Sequence, residues 1–135
     1  MQNFDNQIIM KKLFLYLMVL LLLSGGIYHF VSPATYVNMM PSWFPAKEIL
    51  NWISGGAEIV LALLLIPEKT RTFASNMIVL MFISFFLVHI GHLFEPPVII
   101  SNGKTLVDFR GDMYYGLYVR VLAQFVLIYW AYKIR

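Results

Sequence analysis

Six side chains of this sequence combine reactive chemistry with an apolar setting: His29, Glu58, His89, His92, Arg120 and Gln124. Each lies within, or at the end of, a long hydrophobic run. An ionisable group at the centre of a membrane-spanning helix costs about 2.5–3.5 kcal/mol on insertion scales, so such residues face protein or water and mark candidate sites. Their types point to proton handling and hydrogen bonding, since imidazole exchanges protons near neutral pH. Spacing sorts them into faces. Asn51, Ser54, Gly55, Glu58 and Ala62 form one small and polar helical stripe, which belongs against protein rather than lipid. Arg120 and Gln124 stand at i, i+4, with Gly116 a turn away on the same face, and Met18, Leu22 and Gly25 share the face of His29. His89 and His92 stand at i, i+3 and Glu95 follows, so His29, His89 and His92 with a carboxylate make a candidate metal set. Pro96-Pro97 ends the helix beside Glu95, and an HxxH spacing by itself demands no metal. The chain has no cysteine, which excludes disulfides, thiolate metal sites, a cysteine nucleophile and CxxC redox chemistry.

The elements that must position these groups follow from composition. The chain has 135 residues, enough for a single domain over 1–135. It is 60% hydrophobic, 16% aromatic and only 13% charged, whereas a water-soluble domain carries about 25% charge. A soluble enzyme, a disordered regulator and a nucleic-acid binder all fit poorly, and a scattered net charge of +3 is no polyanion footprint. A spanning helix needs about 20 mostly apolar residues. Four runs qualify, at about 13–31, 49–66, 73–93 and 113–134. The expected fold is therefore all-α, a bundle of four transmembrane helices. A second reading of the start takes Lys11-Lys12, the apolar stretch and Ser24-Gly25-Gly26 as a secretory leader, but the apolar run continues through Ile27–Val31.

Lys11, Lys12, Lys69, Arg71, Lys133 and Arg135 fall on one side of this bundle, and Lys47, Lys104 and Arg110 on the other. The positive-inside rule then places both termini in the cytoplasm. Trp43, Trp52, Tyr114 and Tyr115 would ring the outer interface, and Tyr129, Trp130 and Tyr132 the inner one. Glu58 lies ten positions past Glu48 and Arg120 seven past Met113, or roughly 15 and 10 Å down from the outer ends at 1.5 Å per residue. An ion pair between Glu58 and Arg120, flanked by Ser54 and Gln124, is expected, with the histidines above it. Such a pair can equally serve only to fix how the helices meet. Between the spans, Pro33 stops the first helix and Met40–Pro45 reads as an amphipathic dip into the outer interface. Pro67–Arg71 reads as a tight turn, and Asn102-Gly103 favours a type I′ turn in a small β-ribbon.

Gly26, His29, Phe30 and Pro33, then Met40-Pro41 and Pro45, Ser54-Gly55 with Glu58, Pro67, Thr70-Arg71, and finally Arg120 with Gln124 occur in an order that resembles the DoxX-like membrane proteins. The resemblance covers about 29–124. One departure is the end of the third span, His89-Ile90-Gly91-His92, where such proteins often carry a Pro–Ala–Asn type segment. The resemblance implies a compact four-helix protein of the bacterial cytoplasmic membrane. Several such proteins are linked to quinone or thiosulfate-oxidising respiratory complexes, and a distant group assists receptor assembly. No catalytic residue carries over from it.

The leading expectation is a non-catalytic, redox-associated subunit that holds a quinone or similar lipophilic head in an apolar slot with a few convergent polar groups. The binding residues would be His29, Ser54, Glu58, His89, His92, Arg120 and Gln124, with Glu58 as proton partner. No haem, flavin or iron–sulfur ligand set accompanies them. A scaffold for another membrane protein, or for a second copy, is the alternative, using Gly25, Gly26, Gly55 and Gly56 for close helix contact. A metal-dependent membrane enzyme built on His29, His89, His92 and Glu58 is a weaker one. A transporter is weaker still, because four spans leave little room for an inverted-repeat path.

Overall fold

Helices carry the chain from near its start to near its end. The computed structural model describes residues 2–101 and 103–135, with side chains described except at 2–5, 101 and 112. The described residues form five α-helices: α1 (Gln2–Val31), α2 (Pro33–Met39), α3 (Lys47–Leu65), α4 (Glu68–Phe94) and α5 (Tyr115–Lys133). A two-stranded antiparallel ribbon, β1 (Val98–Ser101) and β2 (Lys104–Asp108), joins α4 to α5 through a short 3-10 turn at Asp112–Tyr114.

The four long helices match the apolar runs, with boundaries that differ for physical reasons. α1 begins well before Leu13, because hydrophobicity marks where lipid would start and not where the backbone stops winding. Pro33 ends α1 as expected, then serves as the first residue of α2, where its missing N–H leaves no bond unmade. α2 had no counterpart among the expected elements. The turn between α3 and α4 is closed by side chains. Thr70 Oγ1 donates to the carbonyls of Leu64 and Pro67, while Arg71 Nε and Nη2 donate to those of Leu65 and Ile66. These bonds satisfy orphan carbonyls at the end of α3. The ribbon turns at Gly103, whose φ of +73° is the left-handed conformation that glycine adopts without penalty. Asn102 lies outside the described residues.

α3 packs against α1 and α4, and α5 rests on α4. Trp130 of α5 closes the circuit by donating Nε1–H to the Phe14 carbonyl of α1 at 3.2 Å, with an edge-on contact between the two rings. Trp130, expected as an interfacial anchor, thus serves as a helix tie. Leu15, Met18, Leu22, Leu61, Leu65, Ala74, Ile78 and Phe82 fill the half of the bundle nearer the termini. Most buried polar groups, among them His29, Asn51, Glu58, His92 and Gln124, occupy the other half, whereas Ser75 lies in the terminal half and donates to the Ala131 carbonyl. Outward, the long helices show apolar side chains such as Leu20, Val60, Leu87 and Leu122, each more than half exposed. Among the described residues, three segments are long and apolar enough to cross a membrane: Asn6–Val31, Lys47–Leu65 and Glu68–Phe94. α5 matches α3 in length at 19 residues, but Arg120, Gln124 and Tyr115, Tyr118, Tyr129 and Tyr132 lower its apolarity.

Candidate functional site

The polar half of the bundle holds two clusters. The first lies between α1 and α3. The backbones approach closely there, because Gly26 and Gly55 face each other: a Cβ on Gly26 would lie 2.9 Å from the Gly55 carbonyl oxygen. That approach brings His29 onto the Asn51–Glu58 stripe. Asn51 Nδ2 donates to the His29 carbonyl at 3.0 Å, which orients its amide. Asn51 Oδ1 then accepts from His29 Nδ1–H at 2.7 Å. The other ring nitrogen, Nε2, faces Glu58 Oε1 at 3.5 Å. With Nδ1 already protonated, an attractive contact here needs one further proton, on the imidazole or on the carboxyl. Gly25 makes room for the carboxyl, since a Cβ there would lie 2.6 Å from Glu58 Oε2.

Tyr36 of α2 covers this cluster. Its ring stacks on His29 with centroids 3.6 Å apart and planes 12° from parallel, and its hydroxyl reaches the Gly25 carbonyl at 3.5 Å. Burial, reinforced by the nearby Glu58 charge, pushes the Tyr36 hydroxyl up to about 12. It therefore stays a neutral donor.

The second cluster follows the seam between α4 and α5. His89 Nδ1–H donates to the Phe85 carbonyl at 2.7 Å, so its Nε2 lone pair is left to accept from Arg120 Nη2 at 3.4 Å. The Arg120 guanidinium also lies 5.3 Å from the centre of the Phe109 ring, just past β2. One turn above, His92 Nε2–H donates to the Met39 carbonyl of α2 at 2.6 Å. His92 Nδ1 is then a lone-pair acceptor, buried without a partner among the described residues. Gln124 Oε1, one turn below Arg120, is also a buried acceptor without a partner among the described residues. Unsatisfied acceptors of this kind cost about 1–3 kcal/mol each.

The expected Glu58–Arg120 pair does not form among the described residues. The stripe on α3 faces α1, so Glu58 pairs with His29, while α5 packs on α4 and Arg120 turns to His89. Ser54, expected in the site, is half-buried and makes no side-chain hydrogen bond there. The candidate metal set is divided, with His29 in one cluster and His89 and His92 in the other, and no three His, Asp or Glu groups gather among the described residues. Glu95 caps α4 and accepts from the Ser42 N–H and Oγ–H, both at 3.0 Å. These bonds hold its carboxyl below the usual range. Tyr114, expected as an anchor, donates to the Leu93 carbonyl at 2.9 Å. Of the glycines expected to admit a partner, Gly25, Gly26 and Gly55 are taken up by the α1–α3 contact, and Gly56 faces open space. Asn51 and Tyr36 belong to the first cluster and were not among the expected binding residues. The stripe through Glu58 already contained Asn51, whereas nothing in the pattern singled out Tyr36.

The clusters sit in a mostly helical chain that has, among the described residues, three helices long and apolar enough to cross a membrane. Residues 18–135 match the family described as Domain of unknown function (DUF8561), and the chain belongs to that family. No curated protein and no solved structure gives a significant match.

Proposed function

We propose that this chain is a four-span, DoxX-like subunit of a bacterial cytoplasmic membrane, with both termini inside, that holds a quinone or similar lipophilic head without catalysing a reaction itself. The outward apolar face of α5, with Val119, Leu122, Phe125 and Val126 exposed, supports a fourth span despite Arg120 and Gln124. The ligand reading rests on the α4–α5 seam. Two buried acceptors, His92 Nδ1 and Gln124 Oε1, are unpartnered on either side of the Arg120 level. Acceptors of this kind suit the hydroxyls of a reduced quinone, and the guanidinium suits an oxidised carbonyl. The His29–Glu58 cluster has its partners already, so its part is to hold a proton and fix α1 on α3.

Lipid extraction of the protein purified in mild detergent tests this reading. Near-stoichiometric quinone is expected in the wild type, lost in Gln124→Leu and kept in Tyr36→Phe. Wild-type extracts without quinone or another lipophilic ring compound would sink the proposal.

A further inference from the structure

The end of the bundle that carries both termini opens into a groove of about 1260 Å³ between α1, α5 and the α3–α4 turn. Its floor is apolar, formed by Phe14, Leu15, Trp130 and Ile134. Its rim is basic: Lys11, Lys12, Arg71, Lys133 and Arg135 line it, against one carboxylate side chain, Glu68, among the described residues. Among the described residues, Lys11, Lys12 and Lys133 make no ion pair. Lys11 lies twenty residues below Val31, or about 30 Å along α1, which is the thickness of a bilayer's hydrocarbon core. With Val31 at one boundary, the lysines stand at the other. Tyr129 and Trp130 line the same groove, the residue types that favour the headgroup level.

We propose that this groove is a headgroup site for an anionic phospholipid. Its phosphate would meet Lys11, Lys12 and Lys133, and its glycerol region would meet Trp130. Its acyl chains would run along the exposed apolar sides of α1 and α5. A soluble anion would use the rim but not the floor, whereas a phospholipid uses both. Basic pockets between transmembrane helices recognise lipid headgroups by this combination. Arg71 is a minor contributor, because its Nε and Nη2 already serve the end of α3.

Native mass spectrometry of the full chain in mild detergent, titrated with phosphatidylglycerol or phosphatidylcholine of matched acyl chains, tests the site. Phosphatidylglycerol should bind preferentially. Lys11→Gln with Lys12→Gln should weaken it about 25-fold, at about fivefold per lysine. Lys133→Gln should weaken it about fivefold on the same scale, and Lys104→Gln, at the opposite end, should leave it unchanged. Equal binding of the two lipids, or unaltered binding in both groove variants, would overturn the proposal. Displacement of the lipid by glycerol phosphate at equal concentration would overturn it too, by assigning the rim to a soluble anion. These outcomes are separate from quinone retention, which depends on the α4–α5 seam.

Discussion

Adjacent glycines on α3 should respond to the same substitution with opposite signs. A Cβ on Gly55 would lie 2.6 Å from His29 Cβ, 3.0 Å from the Gly26 carbonyl oxygen and 3.0 Å from Phe30 Cε2. Carbon atoms in good contact sit about 3.5–4.0 Å apart, so α1 must retreat by roughly 1 Å. Neither backbone nor a Cβ can swing aside as the end of a long side chain would. Overpacking of this kind costs about 1–3 kcal/mol. The retreat also takes His29 away from Asn51, weakening a hydrogen bond worth about 1 kcal/mol. Less the roughly 1 kcal/mol of helix propensity that Ala gains, Gly55→Ala should therefore destabilise the protein by about 1–3 kcal/mol. At Gly56 an added Cβ meets nothing within 4 Å. Gly56→Ala should be neutral or stabilising, by at most about 1 kcal/mol from helix propensity. Unfolding in mixed micelles, followed by tryptophan fluorescence, measures both. If Gly55→Ala lies within about 0.5 kcal/mol of wild type, the ordinary scatter of surface changes, or if both variants shift the same way, the close contact of α1 and α3 is refuted.

The division into two clusters predicts a pattern of couplings. Glu58→Gln and His29→Gln should be non-additive by about 0.5–3 kcal/mol, whereas Glu58→Gln and Arg120→Gln should add; double-mutant cycles by the same unfolding assay decide, and the reverse pattern would restore a Glu58–Arg120 pair. The Glu95–Ser42 tie should be acid-sensitive. Its carboxyl is depressed in the folded protein, so the tie contributes fully above the ordinary value of 4.5 and is lost as pH falls through the lowered one. Protection of the Ser42 amide from hydrogen exchange, corrected for intrinsic rates, should fall in that acid range and become independent of pH in Glu95→Gln.

The long helices were legible because spans of lipid-compatible length leave the backbone few alternatives. The hairpin was legible from Asn102-Gly103. The start of α1 was not, since the polar residues Gln2, Asn3, Asp5, Asn6, Gln7, Lys11 and Lys12 interrupt the apolar pattern before Leu13 yet continue the helix. α2 was not either. It has seven residues, too few for a helix to stand alone, and it depends on tertiary contacts such as Tyr36 on His29. The pairing of charges failed for a different reason. Residue counting gives height along a helix and stripes give a face, but neither says which neighbour that face meets. The Asn51–Glu58 stripe meets α1 through the glycines, which leaves Arg120 to His89.

α2 is the element that both clusters share. At its middle Tyr36 lies on the His29 ring, and at its C-terminal end the Met39 carbonyl accepts from His92 Nε2–H. Just beyond it, Ser42 is fastened to Glu95. A short helix pinned this way has little freedom to lift at one end alone. Opening over His29 drags on His92, and release of His92 loosens the cover on His29. The two polar clusters, on different helix pairs, are thereby joined into one cooperative unit, and their slow opening should appear as a single event.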